Sequence, residues 1–295
     1  MIELGNVSIT RIPHFSHWSL PPAEFLPGSN PRLWEANRSW LAPAHWDPAT
    51  DRIRIAVQSW LLRSAGKTII IDTGLAAQTG VPDGASLPAA LTAAGVTPAD
   101  VDLVVCTHLH ADHVGWNTRL DGDQLAPAFP NASYLFSRPD LDFFHPGTLT
   151  EEPGRSGVVY AESVEPILRS GKAVVWDGAH TIDENLRLRL APGHTPGHST
   201  ITLASGSDRA VFVGDMLHTP LQLHAPHLSS CFCHDKPTAA RTRRNVLLWA
   251  ADHRALVIPA HFAGAGAVEI KRAGPGFTVR RWGGFAGELP RTADS

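Results

Sequence analysis

Apolar and polar positions alternate through "IELGNVSITRI" at the start of the chain, a period of two that predicts a strand. Residues 53–74, "IRIAVQSWLLRSAGKTIIIDTG", read as two strands joined by the turn "SAGK". "SLPAALTAAGV" predicts a helix, with Ser86 as its N-cap and Gly95 near its end. The apolar run "VDLVVC", residues 101–106, reads as a buried strand, and "ASYLFS" as another. "SRPDLDFF" opens a helix with Ser137 near its cap. "LRLRLAPGHTPGHSTITLAS" gives strand, loop and strand, and "RAVFVGDML" a further strand. A helix over about 237–253 leads into the strand "ALVIPAH", and "FTVRRW" closes the sheet. Strands dominate, helices are interspersed, and neither a repeat nor a low-complexity linker interrupts them. The pattern predicts one α/β layered domain over residues 1–295. Residues 13–50 stay irregular, rich in proline and holding Trp18, Trp34, Trp40 and Trp46. A long loop in a compact domain is usually functional or disordered, and four tryptophans argue against disorder.

The strand at 101–106 ends in "HLHADH", four residues of metal-ligating type within six positions. His108 and His110 stand two apart, so in extended chain they project from one side. Asp112 and His113 follow where the chain turns and point elsewhere, which favours two adjacent ions over one crowded ion. A histidine-rich surface turn would explain an isolated pair. Three further apolar strands end the same way, however: "LRLRLAPGH" at His194, "AVFVGD" at Asp215 and "ALVIPAH" at His261. A buried carboxylate at such a strand end must be hydrogen-bonded, paired or metal-bound.

Composition narrows the partners. Of 295 residues, 43% are hydrophobic and 18% charged, with a net charge of −3, so no basic surface for nucleic acid is expected. No apolar run reaches the roughly 18 residues of a membrane span. The start of the chain lacks a signal-peptide pattern and the three cysteines suggest no disulfide framework, so a cytoplasmic location is expected. "CFCH" at 231–234 lacks a second half for a thiolate metal site and is read as a loop lining.

Taken together, "HLHADH", the first histidine of "PGHTPGH", the aspartate of "VGD", the histidine of "PAH" and the early "IIIDTG" resemble the metallo-β-lactamase superfamily. The resemblance covers about residues 53–262 and implies a four-layer αββα sandwich with metals at one sheet edge. It further implies two divalent ions, zinc first, with manganese, iron or cobalt admitted by the same nitrogen and oxygen donors. One ion would be held by His108, His110 and His194, the other by Asp112, His113 and His261, with Asp215 bridging both. Asp72 would orient a ligand, and His198 would be structural or support a ligand rather than bind an ion.

The reaction implied is attack by a metal-bridging hydroxide, with Asp215 and Asp112 as the catalytic carboxylates. Asp215 stands where β-lactamases of this fold carry cysteine or lack the aspartate, so β-lactam cleavage is disfavoured. The branch most resembled contains N-acyl-homoserine lactonases, methyl parathion hydrolases and arylesterases, which implies a small lactone, aryl ester or organophosphate as substrate. A thioesterase like glyoxalase II, or a mononuclear-iron oxygenase like persulfide dioxygenase, remains open as an alternative. Trp18, Trp40, Trp116, His218 and Gln222 are candidates for the substrate pocket. The segment 13–50 is a candidate lid or pocket wall, or else a satellite hydrophobic cluster or homodimer contact.

Overall fold

Nearly uninterrupted apolar runs such as "KTIII" and "AVFV" suit strands buried on both faces, and two packed sheets provide such burial. The computed structural model describes residues 1–75, 87–148 and 155–285, without the side chains of Trp18, Arg155 and Ser156. The strands of the first half are β1 (Ile2–Leu4), β2 (Val7–Trp18), β3 (Trp46–Asp47), β4 (Arg52–Ser64), β5 (Lys67–Ile71) and β6 (Leu103–Val105). A small hairpin of β7 (Thr118–Asp121) and β8 (Gln124–Pro127) precedes β9 (Ser133–Ser137) and β10 (Ala173–Trp176). The second half supplies β11 (Ala179–Thr181), β12 (Leu186–Leu190), β13 (Ser199–Ser205), β14 (Asp208–Gly214), β15 (Leu256–Pro259), β16 (Val268–Ala273) and β17 (Gly276–Trp282).

The first sheet has the order β1-β2-β4-β5-β6-β9-β10, with β3 paired to the start of β4; the second runs β11 to β17 in sequence order. Alternation along each strand then assigns three apolar layers. Ile69, Ile71, Val105 and Leu135 of the first sheet meet Leu188, Ile201, Phe212 and Ile258 of the second. The intervening Ile70 and Val104 face outward, packing with Leu91 of the helix Leu87–Ala93 and Ile167 of the helix Glu165–Arg169. On the other side Val211, Val213 and Val257 pack under Leu247 and Ala250 of the helix Lys236–His253. The helix–sheet–sheet–helix order is the expected αββα sandwich.

Several local expectations change. The opening strand is a hairpin, β1 and β2, turning at Gly5 and Asn6. Residues 13–50 are not irregular throughout: β2 continues to Trp18, and short helices follow at Pro22–Phe25, Pro31–Ala36 and Arg38–Leu41. Trp34 and Trp46 are buried with Phe25, Leu41 and Ile53, so this segment folds as a satellite apolar cluster against β4. Ser137 holds the N-cap position, but its hydroxyl donates to Gly197 O instead of capping. The cap expected at Ser86 lies outside the described residues. Among the described residues no helix is long and apolar enough to cross a membrane.

Candidate functional site

Parallel pairing of β5, β6 and β9 in one sheet, and of β14 with β15 in the other, sends their C-terminal ends to one edge of the sandwich. After β6 the chain runs through Thr107 to His110, then makes one helical turn at Ala111–Val114. That turn rotates Asp112 and His113 away from His108 and His110. The loop after β12 delivers His194, the end of β14 delivers Asp215, and the end of β15 delivers His261. Donor atoms of His108, His110, His194 and Asp215 lie within 4.8 Å of one another, as do those of Asp112, His113 and His261. Asp215 sits between the two groups: Oδ2 is 3.2 Å from His194 Nε2, and Oδ1 is 3.1 Å from His113 Nε2 and 3.0 Å from His261 Nε2. All seven residues expected to converge do so.

Four of the imidazoles, those of His108, His113, His194 and His261, are held from the far side. His113 Nδ1 lies 2.7 Å from Asp72 Oδ2, and His261 Nδ1 lies 2.7 Å from Ala56 O. His108 Nδ1 lies 3.1 Å from Thr107 Oγ1, whose hydroxyl donates to Asp72 Oδ2 at 2.8 Å. His194 Nδ1 faces Cys233 Sγ at 3.7 Å, so the "CFCH" loop braces the site rather than forming one. His198 does not join the cluster: its Nε2 accepts the Asp215 backbone N–H at 3.1 Å, and its Nδ1 is 3.1 Å from Ala191 O. An accepting Nε2 fixes the proton on Nδ1, which donates to that carbonyl. Gly214 permits this approach: its φ is +47°, and a Cβ there would stand 2.7 Å from His198 Nε2.

Asp140, unnoticed in the sequence, accepts from the Gly197 N–H and from Thr195 Oγ1, tying the helix Arg138–Phe144 to the His194 loop. An aspartate in a first helical turn looks like ordinary dipole pairing, so no sequence signal separates it from a surface residue.

Burial and mutual charge act strongly here. Burial holds His108 well below the usual imidazole range and brings His110 down to about 3. Burial also opposes charge on His113 and His261, but Asp215 and Asp112 raise both; Asp72 adds to the rise at His113. Burial alone would raise Asp215, and the surrounding His113, His261, His108 and His194 instead hold it well below the carboxylate range. A buried carboxylate thus draws positive charge onto its neighbours, the demand a cation would meet. Two further observations fit a cation. His110 Nδ1 lies 3.0 Å from His108 Nε2 and 2.9 Å from His194 Nε2, three nitrogens at near-ligand spacing. For comparison, tetrahedral zinc–nitrogen bonds of about 2.0–2.1 Å put ligand nitrogens about 3.3 Å apart. His113 Nε2 and Asp215 Oδ1 are buried yet make no hydrogen bond.

Beside the cluster opens a cavity of about 410 Å³ with Ile55, Val57, Leu75, Leu109, Phe144 and Val159 in its walls. His218 lines it as expected, its Nε2 3.3 Å from Asp215 Oδ2. Three other pocket candidates lie elsewhere. Trp40 packs at the margin of the N-terminal cluster, bonded to Asn37 Oδ1, and Trp116 packs against the outer core beneath the first sheet. Gln222 is buried and accepts the His218 backbone N–H, so it braces the loop instead of reaching a ligand. The Trp18 side chain lies outside the described residues. The sequence reading missed His17 and Phe25 from the N-terminal segment and Phe232 from the "CFCH" loop, all of which line the cavity.

A family model described as the metallo-beta-lactamase superfamily matches residues 52–261. Among solved structures, the chain is similar to the hydrolase AbOPH of the beta lactamase superfamily, with TM-score 0.80 and 21% identity over 100% of this chain and 97% of that one. It is similar to AidC, a dizinc quorum-quenching lactonase, with TM-score 0.75 and 24% identity over 100% and 97% of the two chains. A probable metal-dependent hydrolase from Staphylococcus aureus matches with TM-score 0.75 and 18% identity, over 99% of this chain and 100% of that one. At these identities the likeness establishes the fold. The family and the histidine–aspartate cluster together point to divalent-metal binding. The matched span contains every histidine and aspartate of that cluster, and the chain belongs to the metallo-beta-lactamase superfamily.

Proposed function

We propose that the chain is a dinuclear metal-dependent hydrolase of lactones, aryl esters or organophosphate esters. The observation that carries the reading is the placement of a buried carboxylate, Asp215, between two groups of imidazoles at the mouth of an apolar cavity. His108, His110 and His194 would hold one ion, Asp112, His113 and His261 the other, and the two Asp215 oxygens would reach both. Zinc suits this donor set, as do manganese, iron and cobalt. Ions held there supply Lewis-acid chemistry, activating water and polarising the substrate's reacting oxygen.

The remaining work falls to the chain. Asp72 keeps the His113 proton on Nδ1, leaving Nε2 as a donor atom toward the cluster. Ala56 O does the same for His261. His198 holds the Asp215 backbone through its N–H, which aims the carboxylate. Asp215 and Asp112 carry negative charge beside the reacting position, and Asp215 is placed to pass a proton to a leaving oxygen. His218, against Asp215 and in the cavity wall, is positioned to touch a bound ester. Ile55, Val57, Leu75 and Phe144 exclude water and receive the apolar part of the substrate. No lysine or arginine lines the cavity among the described residues, which favours an uncharged substrate. The lactonase AidC among the structural neighbours supports placing lactones first.

The test is a panel of lactones, aryl esters, organophosphates, thioesters and a chromogenic β-lactam, run on protein of known metal content. The reading expects turnover of uncharged lactones or esters, with loss of most of it in Asp215→Ala and His110→Ala. Turnover that survives both substitutions contradicts it.

A further inference from the structure

One wall of the cavity is built by β2 and β4, and their register contains an irregularity. Up to Pro13, odd residues of β2 face even residues of β4: Ile9 opposes Leu62, Arg11 opposes Trp60 and Pro13 opposes Gln58. Partners share a face, and this one is the interior between the sheets, where Ile9, Trp60 and Leu62 pack. A bulge at His14 then shifts the pairing, so that Phe15 opposes Val57 and His17 opposes Ile55. One extra residue exchanges the two faces of a strand. The odd residues Phe15 and His17 are thereby moved to the face shared with Val57, Leu75 and the cavity. Ala56, between the two cavity-facing residues of β4, exchanges hydrogen bonds with His261: its carbonyl takes the ring Nδ1 and its N–H reaches His261 O. The strand pair therefore fixes His17 and the cluster in one frame.

Once there, His17 has no hydrogen-bonding role among the described residues. Its Nδ1 is buried with no partner, and no protein hydrogen bond to the ring exists among the described residues. Leaving an N–H buried and unpaired costs roughly 1–3 kcal/mol, so the proton belongs on Nε2, the ring nitrogen that is not among the buried unpartnered atoms. His17 thus presents an N–H to whatever fills the space. Of the described lining residues, only His17 and Ser19 are polar and outside the histidine–aspartate cluster with its neighbour His218.

We propose that His17 is a substrate-positioning residue, whose Nε2–H donates to a carbonyl on the non-reacting arm of an uncharged ester or lactone. The ligand class rests on the proposed function; the placement of the donor does not. An acylamino arm, with an amide carbonyl a few bonds from the ester, matches a neutral donor set in a largely apolar wall.

The experiment compares wild type with His17→Phe and His17→Gln on a γ-lactone carrying an acylamino arm and on an alkyl γ-lactone of the same length. It is run at pH 8 on protein of equal metal content. His17→Phe keeps an aromatic ring of similar size, and His17→Gln restores a donor. The expected result is a fall of about tenfold in the preference for the acylamino substrate in His17→Phe, expressed in KM more than kcat, with partial recovery in His17→Gln. An unchanged preference overturns the assignment. Calorimetric binding of the ring-opened acylamino acid reads His17 without turnover: about tenfold weaker binding in His17→Phe supports the role, and equal binding overturns it. If wild type opens neither lactone while this binding difference holds, the lactone reading of the proposed function fails and His17 stands.

Discussion

Asp72→Asn is the substitution that separates the metal-ligating role of the cluster from its role in the fold. Asp72 Oδ1 accepts the backbone N–H of Thr107 at 2.7 Å, a donor that cannot change. Asparagine must therefore keep its oxygen there and place its NH₂ where Oδ2 stands. That position now meets His113 Nδ1 at 2.7 Å and the Thr107 hydroxyl at 2.8 Å. The amide donates to both, so His113 must accept on Nδ1 and carry its proton on Nε2, the atom directed at Asp215. Thr107, no longer donating to Asp72, turns its hydroxyl proton toward His108 Nδ1, which pushes the second imidazole into the same unfavourable tautomer. Loss of one such supporting partner costs about 10–100-fold in metal affinity, or roughly 1.4–2.7 kcal/mol. The bonds are redirected rather than removed, so the metal-free fold should unfold within a few degrees of wild type. Competition between protein and chelator for zinc gives the affinity, and calorimetry of the stripped protein gives the stability. Equal zinc affinity in wild type and Asp72→Asn would refute the reasoning. A large stability loss with unchanged affinity would make Asp72 a purely structural residue.

Asp215→Ala and His110→Ala should each remove most turnover while far-ultraviolet circular dichroism stays that of the native sandwich. Gly214→Ala places a Cβ 2.7 Å from His198 Nε2 at a φ of +47°, so a loss of about 1–3 kcal/mol in urea unfolding is expected. Burial lifts the Asp140 carboxyl to about 6, above its unfolded value. Its stabilising contribution is fully present below about pH 4 and is lost as pH rises through about 6, a swing of about 3 kcal/mol. Metal-free Asp140→Asn should therefore lose less stability than wild type between pH 4 and 7.5, and parallel pH curves would remove that account. Ile201→Ala, at the centre of the layer between the sheets, should cost about 2–5 kcal/mol in the same assay.

The four strand ends that carry ligands were legible because each combines an apolar run with a residue type that cannot be buried alone. "VDLVVC" before His108 and "AVFVG" before Asp215 state both facts within a few positions. What stayed hidden depends on pairing. The bulge at His14 is not marked by any change in hydrophobic pattern, yet it decides that His17 faces the cavity. Asp140 looks like a helix-start aspartate until the His194 loop folds over it. Tryptophan richness in residues 13–50 left a pocket wall and a satellite apolar cluster both open. Trp34, Trp40 and Trp46 pack in the N-terminal apolar cluster, while Phe25 of that cluster and His17 also line the cavity. Size and aromaticity mark a residue for burial without saying against what.

The central claim, that the convergent histidines and aspartates hold two ions for ester or lactone hydrolysis, is tested most directly by metal add-back. Protein stripped by chelator and assayed on a lactone during zinc titration should be inactive at first. Its rate should then climb to a plateau at about two equivalents per chain. A rate that is unaffected by stripping, or that stays at zero as zinc is restored across the substrate panel, would contradict the account.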